Sequence, residues 1–354
     1  MTRDAMTHAE RFRAAMEFQP VDRLPRVEWA AWWEKTVARW TTEGLALSAS
    51  YATPANRPEL VPELARRFGL DVYRQHWFHP WDGRQSQPAS HGAGFVKDEA
   101  DYERERPHLY PSNEWLSWAW DRLAGYQAEQ ERDESLLWIT LPGFFGWPRR
   151  LLGIEGHFLA FYDQPELMHR MNRDVAEWTI RVLRKTREVC RPVFATIGED
   201  MSYNHGPMLS RELFDEFLAP YYRMVTPVLK EMGLYVFVDS DGDVTEMIPW
   251  LTDVGVEGIL PLERQAGVDG MTIRRRFPRF RMIGHFDKLT MSRGEAAMRA
   301  EFERLAPLMR AGGFIPSVDH QTPPEVPLEN YRIYRRLHDE YTAACAPNGA
   351  AAEG

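Results

Sequence analysis

The chain has 354 residues, 44% of them hydrophobic and 27% charged, with a formal net charge of −9. That is apolar mass enough for a full globular core, and the acidic balance excludes a nucleic-acid surface as its main business. Two cysteines, Cys190 and Cys345, exclude a disulfide scaffold and a thiolate-rich metal centre.

Ala9, Phe12, Ala15 and Met16 recur at helical spacing, and Pro20 stops the segment, so the chain opens on a helix. Arg3, Asp4, Glu10 and Arg11 replace any apolar signal stretch. No segment reaches the ~18 apolar residues of a membrane helix, and the expected location is the cytoplasm.

Eight short apolar runs then follow as strand candidates: 24–28, 71–76, 136–141, 193–197, 234–238, 258–262, 281–284 and 314–317. Helical patterns at 165–190, 211–232, 244–254, 294–310 and 328–342 lie between the later ones. Ser210 and Asp243 stand at cap positions before two of these helices. Alternating strand and helix predicts a parallel sheet, and eight units predict an α/β fold of (β/α)8 TIM-barrel type. The long 77–134 segment reads as an insertion between strands two and three, carrying one helix at 113–132. A single domain is expected over 1–342, with a frayed tail at 343–354.

In such a barrel, chemistry sits at the C-terminal strand ends. Those positions carry Glu28 and Trp29, Glu199 and Asp200, Asp239 to Gly242, Glu263, His285 with Asp287 and Lys288, and Asp319 with His320. Each signal also has a plain structural account. Asp-Ser-Asp-Gly suits a turn, Asp287 and Lys288 suit an ion pair, and His320 suits packing on the prolines after it. His76 and His79 are read as packing residues, and Arg274, Arg275, Arg276, Arg279 and Arg281 as a solvated helix end. Trp29, Trp32, Trp33, Trp77, Trp81 and Trp147 follow the first three predicted strands and suggest a pocket wall or a packed rim.

Four stretches, taken together in this order and spacing, resemble the uroporphyrinogen decarboxylase superfamily, which includes cobalamin-dependent methyltransferases. They are ERFRAAMEFQPVDRLP (10–25), SRELFDEFLAPYYR (210–223), YVFVDSDGDVTEMIPWL (235–251) and GGFIPSVDHQTPPEVPLENY (312–331). The resemblance implies a (β/α)8 barrel. The decarboxylase branch carries Arg-Gln-Ala-Gly-Arg after its first strand, where this chain reads RVEWAAWWEKTVARW (26–40). The methyltransferase branch holds zinc with His-x-Cys and a later Cys. Those positions fall here on Asp239, Asp241 and at or beside His320, and neither Cys190 nor Cys345 matches one.

The resemblance thus implies corrinoid-linked methyl transfer, such as demethylation of an ether or amine, at an oxygen-rich metal site. Asp239, Asp241, His320 and Glu199 are the expected ligands of a divalent cation. Zinc leads, with Mn²⁺, Fe²⁺, Mg²⁺ or no metal as alternatives. Asp200, Lys288 and Glu263 are the expected catalytic groups, with Glu263 also able to complete the metal shell. Trp29, Trp33, Trp77, Phe145, Arg149, His285 and Asp287 are the expected substrate contacts. The corrinoid would ride on a partner protein, and a homodimer is permitted. The competing functions are a lyase acting on a carboxylated pyrrole or aromatic acid, with Arg149, Arg150, Arg74 and Lys288 holding carboxylates, and a non-catalytic tetrapyrrole or corrinoid binder.

Overall fold

The computed structural model of the chain describes residues 5–347. It opens on helix α1 (His8–Met16), closed at its start by a reciprocal Thr7–Glu10 capping box. Then come α2 (Glu34–Thr42), α3 (Arg57–Arg67), strand β1 (Tyr73–Trp77), α4 (Glu99–Glu105), α5 (Ser117–Glu131), β2 (Leu136–Pro142), α6 (Gly146–Asp163), α7 (Pro165–Val189) and β3 (Phe194–Gly198). A small antiparallel pair follows, β4 (Ser202–Tyr203) and β5 (Gly206–Pro207). A short α8 (Arg211–Leu213) runs through a π-helical turn into α9 (Ala219–Glu231). The chain continues with β6 (Tyr235–Asp239), α10 (Ile248–Asp253), β7 (Gly258–Leu260), α11 (Gly270–Arg276), β8 (Arg281–Phe286), α12 (Glu295–Arg310), β9 (Phe314–Val318) and α13 (Leu328–Ala344).

The alternating α/β organisation is as expected, and so is the opening helix; the 77–134 insertion carries the expected helix, now α5, but also a second one, α4, capped at its start by Asp98. The count of eight strands is corrected to seven parallel strands, because 24–28 forms none. Pro25 has no N–H to offer a ladder. Its neighbours find other partners: Leu24 N donates to the Thr342 carbonyl, and Arg26 N to the Asp71 carboxylate. The remaining runs become strands within a few residues of their predicted limits.

The chain divides into two compact units. Among the described residues one comprises 5–74, 129–136 and 258–347, and in it β7, β8 and β9 pair in parallel. Its core includes Trp32, Trp40 and Tyr331, whose rings meet one another or the half-buried Phe68 at 4.6–6.2 Å. Here the 10–25 stretch is explained. Buried Arg11 forks onto Asp22, and Arg23 forks onto Asp71, so the opening helix is tied down by charge-assisted pairs. Arg274 is also buried. It caps the carbonyls of Pro278, Phe280, Gly312 and Gly313, which is not the solvated role read from the arginine run.

The other unit comprises 75–128 and 137–257. Its strands lie in the order β1, β2, β3, β6, and near-continuous apolar runs such as Leu137–Leu141 suit strands buried on both faces. Parallel register puts Trp138, Phe194 and Tyr235 in one row and Pro142, Gly198 and Asp239 in another at the C-terminal ends. Helix α7 packs against both α6 and α9, with Met168, Met171, Val175, Trp178 and Val182 as its apolar stripe. In the tail expected to fray, Ala343 and Ala344 end α13 and Cys345 is buried. Residues 348–354 lie outside the described range.

Candidate active site

The row of strand ends in the second unit is locked by one carboxylate. Glu199, just past β3, is buried and accepts from the backbone N–H of Phe144 (2.8 Å), Phe145 (2.7 Å) and Gly146 (3.0 Å), and from the Tyr222 hydroxyl. The first orphan N–H groups of α6 are thereby satisfied by a side chain. Gly143 is required here, since a Cβ would lie 2.2 Å from the Glu199 carboxyl. Burial pushes the Glu199 pKa up, against the pull of its four donors.

Asp239, one strand over, has no such company. Its backbone carbonyl accepts from Glu199 N at 2.9 Å, but its carboxyl has no hydrogen-bond partner among the described residues. Desolvation, then repulsion from Asp200 and Asp241, pushes its pKa well above the carboxylate range. Asp200 adopts a left-handed backbone at φ +47° and pairs with Arg149, which also caps the Asp200 carbonyl at 2.7 Å. The Asp-Ser-Asp-Gly turn packs on the β4–β5 hairpin: Met201 N donates to Ser240 Oγ, Asp243 N donates to the Tyr203 carbonyl, and Gly242 sits at φ +83°.

Asp239, Asp200 and the α6 start open on a cavity of about 630 Å³, a size that suits a small ligand. Rings from 77–81 and from α6 stack along it. Trp77 stacks with His79 (15° between planes), His79 with Trp81 (27°) and Trp81 with Trp147 (10°). Trp147 is oriented by its indole N–H on Tyr110, whose hydroxyl meets that of Tyr102. Arg150 lies over the Trp81 ring at 4.2 Å. Helix α6 breaks at Gly153 (φ +75°), where the 92–95 segment pairs with its backbone, and His91 and Gly92 complete the wall.

In the first unit, buried Asp319 accepts from Arg264 N, Lys288 N and Lys288 Nζ, the last at 3.2 Å. Burial raises its pKa despite Lys288. A Glu263 carboxylate oxygen and a His320 ring nitrogen lie within 4.8 Å, and the His320 ring meets Trp29 edge-on. Glu28 is buried and accepts from Ser317 Oγ and Val318 N, and the Trp29 indole donates to the Val318 carbonyl.

Of the residues expected from the sequence, Glu199, Asp200, Asp239, Trp77 and Arg149 therefore meet at the cavity. Phe145 and His285 are packed inside instead. Phe145 stacks edge-on to His157, and His285 binds the Leu262 carbonyl, Gly270 N and Arg304, with burial holding its pKa down to about 3. Asp287 caps the turn after β8 through Leu289 N, and Trp33 is exposed. Cys190 and Cys345 are buried, and burial pushes the Cys190 thiol up to about 12. Tyr222 was missed in the sequence, although it lies in the 210–223 stretch. Its role depends on α9 passing over the end of β3, which no local pattern records.

A family model described as uroporphyrinogen decarboxylase (URO-D) matches residues 150–341, which include three of the four resembling stretches. No curated protein matches the chain. Among solved structures, a methyltransferase from Methanosarcina mazei is similar over 95% of this chain and 99% of its own, at 15% identity and a TM-score of 0.67. Endo-glycoceramidase II from Rhodococcus sp. covers 81% of this chain and 76% of its own, at 12% identity and a TM-score of 0.46. The first likeness is one of fold, and the second is too loose to bear on function.

Proposed function

The chain belongs to the uroporphyrinogen decarboxylase family, and we propose that it is a methyltransferase that demethylates a small aromatic substrate. The observation that carries this reading is Asp239: an unpartnered carboxyl with a raised pKa, in a cavity walled by stacked rings. An aryl methyl ether that loses its methyl group leaves a phenolate, which needs a proton. A protonated Asp239 supplies it and is left ionised, to be reprotonated from solvent. The stacked rings hold the substrate flat and exclude water.

The methyl acceptor in this proposal is a corrinoid on a partner protein. A divalent cation fits the oxygen and nitrogen donors of Glu263 and His320, zinc first. Bound there, it would lend Lewis acidity. Asp241, a ligand in the set derived from the sequence, is tested alongside.

A second reading keeps the same pocket for a lyase on a carboxylated pyrrole or aromatic acid. Arg149 and Arg150 on one wall favour it. One assay separates the two. Protein, a methoxylated aromatic acid and reduced cobalamin are mixed, and methylcobalamin absorbance, phenol and carbon dioxide are followed. Methylcobalamin and phenol in equal amounts, lost in Asp239→Asn, support methyl transfer. Carbon dioxide without methyl transfer overturns it in favour of the lyase. Metal content, measured in wild type and in Glu263→Ala, His320→Ala and Asp241→Ala, tests the cation. Metal-free, fully active wild type would remove it from the proposal.

A further inference from the structure

The cavity holds two adjacent arginines with different commitments. Arg149 is spent on Asp200, through the carbonyl at 2.7 Å and the carboxylate at 3.3 Å. Arg150 has no carboxylate partner among the described residues. Its guanidinium carbon lies over the Trp81 ring instead, 4.2 Å from the ring centre. The other source of positive potential nearby, the N-terminus of α6, is also spent, because Glu199 takes the N–H groups of Phe144, Phe145 and Gly146. Arg150 is thus the cavity's uncommitted cation, and desolvation lowers its pKa with no anion to offset it.

We infer that the cavity selects a planar aromatic carboxylate, with the ring laid along the Trp77–His79–Trp81–Trp147 stack and the carboxylate held by Arg150. A guanidinium held over an indole ring is already restrained, so it gives up less rotamer freedom when it pairs with a carboxylate. The stack supplies apolar area without hydrogen-bond demands, so it reads flatness, and Arg150 reads charge. This substrate class rests on the proposed use of the cavity, but its binding is measurable without turnover.

The probes are 4-methoxybenzoate and its neutral counterpart 4-methoxybenzyl alcohol, titrated into the full chain by calorimetry and by tryptophan fluorescence. Wild type is expected to bind the acid about tenfold or more tightly over the alcohol. Arg150→Gln should erase that ratio and leave the alcohol's affinity unchanged. Arg150→Lys should fall between, since it keeps charge but loses the flat fork. Circular dichroism and melting temperature confirm folding. Equal affinity for acid and alcohol in wild type, or an unchanged ratio in folded Arg150→Gln, overturns the inference. Arg150-dependent binding of the acid without demethylation would sink the methyltransferase reading and leave this one standing.

Discussion

Tyr222, on α9, donates its hydroxyl to the buried carboxylate of Glu199, at the end of β3. The same carboxylate gathers three successive N–H groups at the start of α6, the helix that carries Trp147, Arg149 and Arg150. One side chain therefore ties the cavity's basic and aromatic wall to the strand that supports its acids.

Glu199→Gln would turn an amide N–H₂ toward donors. It should cost about 2–4 kcal/mol, while Tyr222→Phe, which leaves the backbone donors in place, should cost about 1–2 kcal/mol. Denaturant unfolding of the two variants checks the order. Equal, negligible losses would show that the clamp carries no weight.

Gly242→Ala should be among the most damaging small substitutions. The new Cβ would sit 2.6 Å from the Tyr203 backbone, at a φ of +83° that alanine disfavours. A loss of about 2–4 kcal/mol is expected, with disturbance of the Asp239–Asp241 turn. Thermal unfolding indistinguishable from wild type would contradict the close approach.

Asp239 makes stability depend on pH with a definite sign. Its folded pKa is raised above the unfolded value, so its contribution is intact below about pH 4 and is lost as pH rises through the folded pKa. Asp239→Asn does not titrate. Its melting temperature should therefore exceed that of wild type at pH 8, and the gap should close toward pH 4. A gap that widens on acidification would mean that the carboxyl is held ionised.

His157 acts in the opposite direction. It is buried among Phe145, Phe158 and Phe161, neither ring nitrogen meets a polar partner among the described residues, and burial holds its pKa down to about 3. Above pH 6.5 both states are neutral. Below it the unfolded chain gains a proton that the folded one refuses, a loss on the order of 2 kcal/mol by pH 5. His157→Phe should melt with a shallower fall between pH 7 and pH 5 than wild type. Parallel curves would assign the acid sensitivity to other groups.

Much of this protein was legible in its sequence because strand–helix alternation and the carboxylates at strand ends are local patterns. Seven of eight strands, the long helices, the Ser210 cap and the gathering of Glu199, Asp200 and Asp239 with Trp77 follow from periodicity and residue type. The segment 24–28 looked like a strand because its pattern is apolar, but Pro25 and partners as distant as Asp71 and Thr342 settle its backbone. Glu199, Asp200 and Asp239 look alike in sequence. Only folding makes the first a clamp, pairs the second with Arg149 and leaves the third alone, because burial and hydrogen-bond partners come from segments far apart in the chain. The same holds for the two arginines: the sequence reading named Arg149 as the substrate contact and kept Arg150 for the lyase alternative, whereas the neighbours supplied by the tertiary structure commit Arg149 to Asp200 and leave Arg150 open.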